Sequence, residues 1–122
     1  MNVSQLLAAL ILVESSGNPD AIGDNGKAVG VLQIHPIVIE DVNRIYGTDF
    51  TLEDRYEINH SRNVANLYLA YWGYKYEENT GFQANTEVYA RIWNGGPNGW
   101  NKKSTNKYWI KVKEVLDKWE DS

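Results

Sequence analysis

Glu14 is the residue whose position in the sequence best suits proton chemistry. It follows an unbroken apolar run at residues 6–13 and directly precedes a stretch rich in turn-forming residues. A carboxyl group at the end of an apolar helix is partly desolvated, which disfavours its ionised form and raises its pKa. A general acid that works near neutral pH needs a raised pKa of this kind. The alternative interpretation is an ordinary solvated glutamate at a helix end.

Three further segments follow Glu14 in a fixed order. Glu14-Ser15 leads into an Asn-, Pro- and Gly-rich stretch that closes on Gly-Val-Leu-Gln-Ile at residues 30–34. Trp-Asn-Gly-Gly-Pro occupies residues 93–97, and Lys-Tyr-Trp occupies residues 107–109. In this order the segments resemble the motifs of the lytic transglycosylases and goose-type lysozymes, which belong to the lysozyme-like superfamily. The resemblance covers residues 14–112.

The resemblance implies a glycosidase that cleaves the β-1,4 bond between N-acetylmuramic acid and N-acetylglucosamine in peptidoglycan. Glu14 would protonate the glycosidic oxygen and later act as a base, while the muramoyl C6 hydroxyl attacks the anomeric carbon and leaves a 1,6-anhydro end. By the same resemblance, Gln33, Trp93 and Asn94 line the cleft and hold the sugar, and Tyr108 orients Glu14. The resemblance implies no metal and no organic cofactor.

Two departures from the family pattern leave the reaction outcome open. Trp93 stands where the family usually has tyrosine, and the stretch at residues 26–33 is one residue longer than the common pattern. Asp24 lies ten residues after Glu14 and is a candidate second carboxylate, which would activate water and make the protein a hydrolytic muramidase. Asp24 is otherwise a plain turn residue. A third hypothesis is a catalytically silent module of the same fold, for instance in a phage particle or secretion apparatus.

The elements that must position these residues are mainly helical. Apolar periodicity and helix stop signals predict helices at residues 3–15, 36–46, 85–93 and 104–120. A capping box at Thr51 and Asp54 predicts the start of a fifth helix, which continues to about residue 76. The core candidates of that helix are Tyr56, Val64, Leu67, Ala70 and Tyr71. A short irregular β segment follows the first helix, so we expect one small lysozyme-like α+β domain over residues 1–122.

Composition excludes several other classes of protein. The chain has 122 residues, no cysteine and a formal charge of −4, which argues against disulfide scaffolds and nucleic-acid binding. The run at residues 6–13 is too short to span a bilayer and lacks the basic flank of a signal peptide, so the route to the bacterial cell wall or periplasm stays open.

Glu57 and His60 have the spacing of a helical metal pair, but no second copy exists, and solvated side chains are the simpler interpretation. Trp100, beside a glycine-rich loop, is a candidate stacking surface.

Overall fold

The computed structural model describes residues 3–121 and contains five α-helices in that range. They are α1 (Val3–Ser15), α2 (Pro36–Tyr46), α3 (Ile58–Thr80), α4 (Thr86–Gly95) and α5 (Asn106–Glu120). Two short strands, β1 (Ile22–Gly23) and β2 (Ala28–Val29), follow α1. The predicted fold class, mainly α with a small β segment after the first helix, is confirmed. None of the helices in this range combines the length and the apolar character needed to cross a bilayer.

The chain divides into two compact units. The hairpin unit comprises residues 11–68, and the α4–α5 unit comprises residues 3–10 together with 69–121. Helices α1 and α3 each contribute residues to both units. That residues 1–122 act as a single catalytic domain stays a prediction.

A two-stranded antiparallel hairpin gives the first unit its name. Ile22 pairs with Val29, and Gly23 pairs with Ala28. The hairpin turn uses left-handed backbone at Asp24 and Asn25, with φ of +49° and +56°, which aspartate and asparagine tolerate better than most residues. The buried apolar residues of this unit are Ile11, Ala28, Val29, Val31, Leu32, Ile34, Ile39, Val42, Val64, Ala65 and Tyr68.

The capping box forms, but it does not start the long helix. The Thr51 amide donates to Asp54 Oδ2 at 2.9 Å, and the Asp54 amide donates to Thr51 Oγ1 at 3.3 Å. The chain then forms a short 3-10 turn over Glu53–Tyr56 and passes through an extended residue, Glu57. The prediction that α3 begins at this box was therefore wrong. The break lets the chain turn so that the side chain of Arg55 is buried. This tertiary requirement overrides the local helix signal.

The predicted core face of α3 was also partly wrong. Val64 is buried as expected, but Tyr56 lies before the helix and is exposed, and Ala70 is exposed as well. Leu67 and Tyr71 are half-buried. The buried face has helical spacing and consists of Ser61, Val64, Ala65, Tyr68 and Leu69. Because Ser61 and Ala65 on this face are small, its hydrophobic pattern in the sequence is weaker than that of the tyrosines around it.

The α4–α5 unit is built around the packing of its two namesake helices. Asn85 caps α4 by accepting a hydrogen bond from the Val88 amide at 3.0 Å. Val112 and Leu116 are the buried residues of α5, whereas Trp119 near the end of this helix is 41% exposed. α4 continues through Gly95, two residues past its predicted end, and α5 begins at Asn106 after a 3-10 turn over Lys103–Thr105.

Candidate functional site

Glu14 lies in the last turn of α1 and is half-buried. The next residue fixes this end of the helix. Ser15 Oγ lies 2.8 Å from the Val31 carbonyl oxygen and 3.2 Å from that of Ile11, and it accepts a hydrogen bond from the Gly17 amide at 3.1 Å. The Glu14 end of α1 is thereby joined to the turn at residues 30–34, which is distant in sequence.

Gln33 holds the loop that follows Glu14. Its Nε2 group donates to the carbonyl oxygens of Ala21 and Gly30, each at 3.0 Å, so both amide N–H groups bond to the main chain. A Cβ at position 23 would lie only 2.6 Å from Gln33 Oε1, so the absence of a side chain at Gly23 makes room for the amide. Gln33 itself has a φ of +50°, which is uncommon for a residue with a long side chain. That Gln33 also holds a sugar stays a prediction.

Asp24 lies at the exposed tip of the hairpin. Its side chain is 59% exposed, and its Oδ2 is 3.3 Å from His35 Nε2. Together with its left-handed backbone, this contact gives Asp24 an evident role in the turn. That it is a second catalytic carboxylate stays a prediction.

Arg55 is a buried residue that the sequence analysis did not identify. Only 8% of it is exposed. Its Nε donates to the Leu52 carbonyl at 2.8 Å, and its Nη1 donates to the carbonyls of Lys27 and Ile34, each at 2.9 Å. The main chain of Arg55 is also closely packed: Gly30, with a φ of +86°, approaches the Arg55 carbonyl oxygen so closely that an added Cβ would lie 1.9 Å from it.

The other three predicted site residues lie in the α4–α5 unit. Trp93 is half-buried and Asn94 is exposed, both in the last turn of α4. Asn94 is therefore helical, and not the first loop residue that the sequence predicted. Tyr108 is half-buried in the first turn of α5.

Arg91, also missed from the sequence, clamps the loop after Asn94. Its Nε donates to Thr105 Oγ1, its Nη1 to Glu87 Oε2 and its Nη2 to the Lys102 carbonyl, each at 2.8 Å. Lys102 Nζ in turn donates to the Gly95 carbonyl at 2.7 Å. The loop at residues 96–102 is thus held by a side chain from α4, Arg91, and by one at its own end, Lys102.

A glycine completes this clamp. Thr105 Oγ1 donates to the Gly99 carbonyl at 2.8 Å. A Cβ at Gly99 would lie 2.0 Å from the Arg91 carbonyl oxygen, so only glycine fits against α4 at this point. The glycine-rich segment after Asn94 is therefore a packed structure, in addition to being a helix stop.

The remaining sequence candidates have ordinary surroundings. Nothing in residues 3–121 forms a cluster of three or more side chains that could hold a metal ion. His60 Nε2 lies 3.8 Å from Glu57 Oε2 and 3.9 Å from Asp54 Oδ1, and its ring meets Phe50 edge-on. Trp100 is half-buried and packs edge-to-face on the ring of Tyr76, at a centroid distance of 5.0 Å.

Comparison with known proteins adds two findings. The family model described as the transglycosylase SLT domain matches residues 1–116. A lysozyme from Magallana gigas is 53% identical over 38 residues, which are 31% of this chain and 28% of that lysozyme. The family likeness therefore extends over nearly the whole chain, whereas the likeness to the lysozyme is confined to a short segment of both proteins.

Proposed function

Since the chain belongs to the transglycosylase SLT family, we propose that it is a lytic transglycosylase of bacterial cell-wall peptidoglycan. It would cleave the β-1,4 bond between N-acetylmuramic acid and N-acetylglucosamine, at the cell wall or in the periplasm. The observation that carries the proposal is the position of Glu14. A half-buried carboxyl group ends an apolar helix and lies beside a serine that is bonded across to the turn at residues 30–34.

In the proposed mechanism Glu14 first donates a proton to the substrate and later accepts one from it. Its carboxylic acid protonates the glycosidic oxygen, which is a poor leaving group until it is protonated. The bond from that oxygen to the muramoyl anomeric carbon breaks, and the C6 hydroxyl of the same sugar forms a new bond to that carbon. The Glu14 carboxylate then accepts the proton of the hydroxyl. The acid is regenerated, no water is consumed, and the product has a 1,6-anhydro end.

The residues proposed to bind the sugar are the four that the family motifs single out: Gln33, Trp93, Asn94 and Tyr108. Asn94 is the most exposed of the four and suits a hydrogen bond to a polar sugar substituent. Trp93 and Tyr108 are half-buried, so each can offer an apolar surface while being held by its helix.

A hydrolytic muramidase that uses Asp24 is the alternative within the same enzyme class. The exposure of the Asp24 carboxylate would allow water to reach it, but its contact with His35 and its place in the hairpin turn favour a structural role. The two reactions differ by one water molecule in the product, so the products distinguish them.

The test is mass spectrometry of the products released from purified peptidoglycan. Wild type, Glu14→Gln and the matched control Glu40→Gln, an exposed glutamate on α2, are compared. We expect anhydro-muropeptides from wild type and from the control, and none from Glu14→Gln. Reducing-end products that disappear in both Glu14→Gln and Asp24→Asn would establish the hydrolase instead. No product from several wall types would refute the enzyme and favour the silent module.

A further inference from the structure

We propose that Arg55 is a positioning residue for Glu14. It holds the strained turn at residues 30–34, to which the end of α1 is bonded, and it acts through the main chain without touching the substrate. The inference rests on the proposed function, because Glu14 matters for catalysis only if the chain is a glycosidase of this type.

The first support is the kind of partner that Arg55 has. The three hydrogen-bond acceptors of its buried guanidinium are main-chain carbonyl oxygens of Leu52, Lys27 and Ile34. Burying a charge is unfavourable unless it is hydrogen-bonded, and apolar side chains of similar volume often stabilise a core as well or better. A buried cation that bonds to three separate segments is better explained by the geometry it imposes than by stability alone.

The second support is the strain in the turn that Arg55 contacts. Within residues 30–34 the strained residue is Gln33, which has a φ of +50°, whereas Gly30 adopts its φ of +86° without steric cost. A long side chain at positive φ persists only where its surroundings hold it there. Arg55 supplies part of this constraint at both ends of the turn, with its carbonyl oxygen against Gly30 and its Nη1 on the Ile34 carbonyl.

A buried serine holds Arg55 itself. Ser61, which is fully buried on α3, donates from its hydroxyl to the Arg55 carbonyl oxygen at 3.0 Å. The same carbonyl oxygen is the atom that Gly30 approaches. The main chain of Arg55 is therefore fixed by α3 while its side chain fixes the turn.

The connection to Glu14 runs through one hydrogen bond. Val31 lies inside the turn, and its carbonyl oxygen is the atom bonded to Ser15 Oγ at 2.8 Å. A displacement of the turn would move this carbonyl and, with it, the last turn of α1. Catalytic groups displaced by about 1 Å lose on the order of 100-fold in rate, so a small movement is sufficient.

The first test compares Arg55→Lys with Asn43→Ala. Lysine keeps the charge but lacks the planar group that reaches several carbonyls at once. The control Asn43 also lies in the hairpin unit, where its amide bonds to Phe50 and Thr48. We expect kcat on soluble peptidoglycan strands to fall about 10–100-fold in Arg55→Lys with KM within about twofold, and Asn43→Ala to keep the wild-type kcat at a comparable loss of melting temperature. Equal kcat losses in the two variants would overturn the proposal.

The second test needs no substrate. The Gly30 amide donates to the Ala21 carbonyl at 2.9 Å, and the Ile34 amide donates to that of Val29 at 3.0 Å. We expect hydrogen exchange at both amides to accelerate at least about tenfold in Arg55→Lys and to stay at the wild-type rate in Asn43→Ala. Unchanged exchange would show that Arg55 does not hold the turn. Accelerated exchange in a protein without turnover would refute the proposed function and leave the hold of Arg55 on the turn intact.

A milder variant, Ser61→Ala, allows both tests to be made even if Arg55→Lys does not fold. Ser61→Ala removes the hydrogen bond to the Arg55 carbonyl and leaves the guanidinium in place. We expect the same two effects in smaller degree, with kcat reduced about 2–10-fold. A kcat and an exchange rate equal to those of wild type in this variant would contradict a role for the Arg55 main chain.

Discussion

Replacing Gly30 with alanine is the perturbation whose cost the structure defines most directly. The new Cβ would lie 1.9 Å from the Arg55 carbonyl oxygen, and the backbone would keep a φ of +86°. An L-residue in left-handed backbone costs about 1–2 kcal/mol. The carbonyl is main chain and must shift by more than 1 Å to accept the methyl group, an overpacking cost of about 1–3 kcal/mol. We therefore expect a total loss of about 2–5 kcal/mol in the free energy of unfolding.

Gly26→Ala is the matched control for this variant. Gly26 has nearly the same φ, +89°, and an added Cβ there meets nothing within 4 Å. Its cost is then the backbone cost of about 1–2 kcal/mol, partly offset by a less flexible unfolded chain. The difference between the two variants measures the clash with Arg55 alone.

Urea unfolding followed by circular dichroism gives both free energies, provided that the denaturant slope is the same in the two variants. In thermal unfolding the Gly30 variant should melt roughly 8–20 °C below wild type, at about 4 °C per kcal/mol. Losses that agree within about 0.5 kcal/mol would refute the reasoning. They would mean that the Arg55 carbonyl yields freely, and the constraint on the turn at residues 30–34 would have to come from elsewhere.

Three further outcomes are expected. Burial raises the pKa of Tyr68 to about 12. Because the unfolded tyrosine ionises near pH 10, the free energy of unfolding should fall as pH rises above about 10. Between pH 9 and 11, Tyr68→Phe should therefore lose less of this free energy than wild type. A Tyr68→Phe variant with the wild-type slope would contradict this. Leu10→Ala, at a fully buried position, should cost about 2–5 kcal/mol in chemical unfolding and Leu12→Ala, at a 45% exposed one, less than about 1; equal costs would sink the assignment of the core. Gly23→Ala displaces Gln33 Oε1 and should cost about 0.5–1.5 kcal/mol, with faster exchange of the Gly30 amide as the check; an unchanged exchange rate would show that the Gln33 amide is dispensable for the loop.

The helices that could be located from the sequence are those whose ends have local causes. α1 is apolar nearly throughout, and α2 begins at Pro36 and ends before Gly47, which has a φ of +68°. Local cues therefore sufficed for both. The start of α3 could not be located in this way. The capping box at Thr51 was correctly identified, but the chain breaks after it so that Arg55 can reach carbonyls 21 and 28 residues away in sequence.

The candidate site shows the same division. Glu14 was proposed as the acid because it ends an apolar helix and begins segments that resemble those of a known family; its catalytic role stays a prediction. Arg55 and Arg91 were missed because the head group of an arginine is usually solvated. Their burial depends on acceptors that only the folded chain brings near them. Gln33 was chosen as a sugar ligand, and its bonds to the loop could not be predicted from the motif that contains it.

The division of the chain has a consequence for the order of folding. The hairpin unit is one continuous segment, whereas the α4–α5 unit is assembled from residues 3–10 and 69–121, with 58 residues between its two parts. Closing a flexible loop of that length costs on the order of 3–4 kcal/mol in chain entropy before any contact compensates for it. Contacts within a continuous segment form sooner, so we expect residues 11–68 to become ordered first. Residues 3–10 should then join residues 69–121 late, and their amides should be the last to gain protection in pulsed hydrogen exchange.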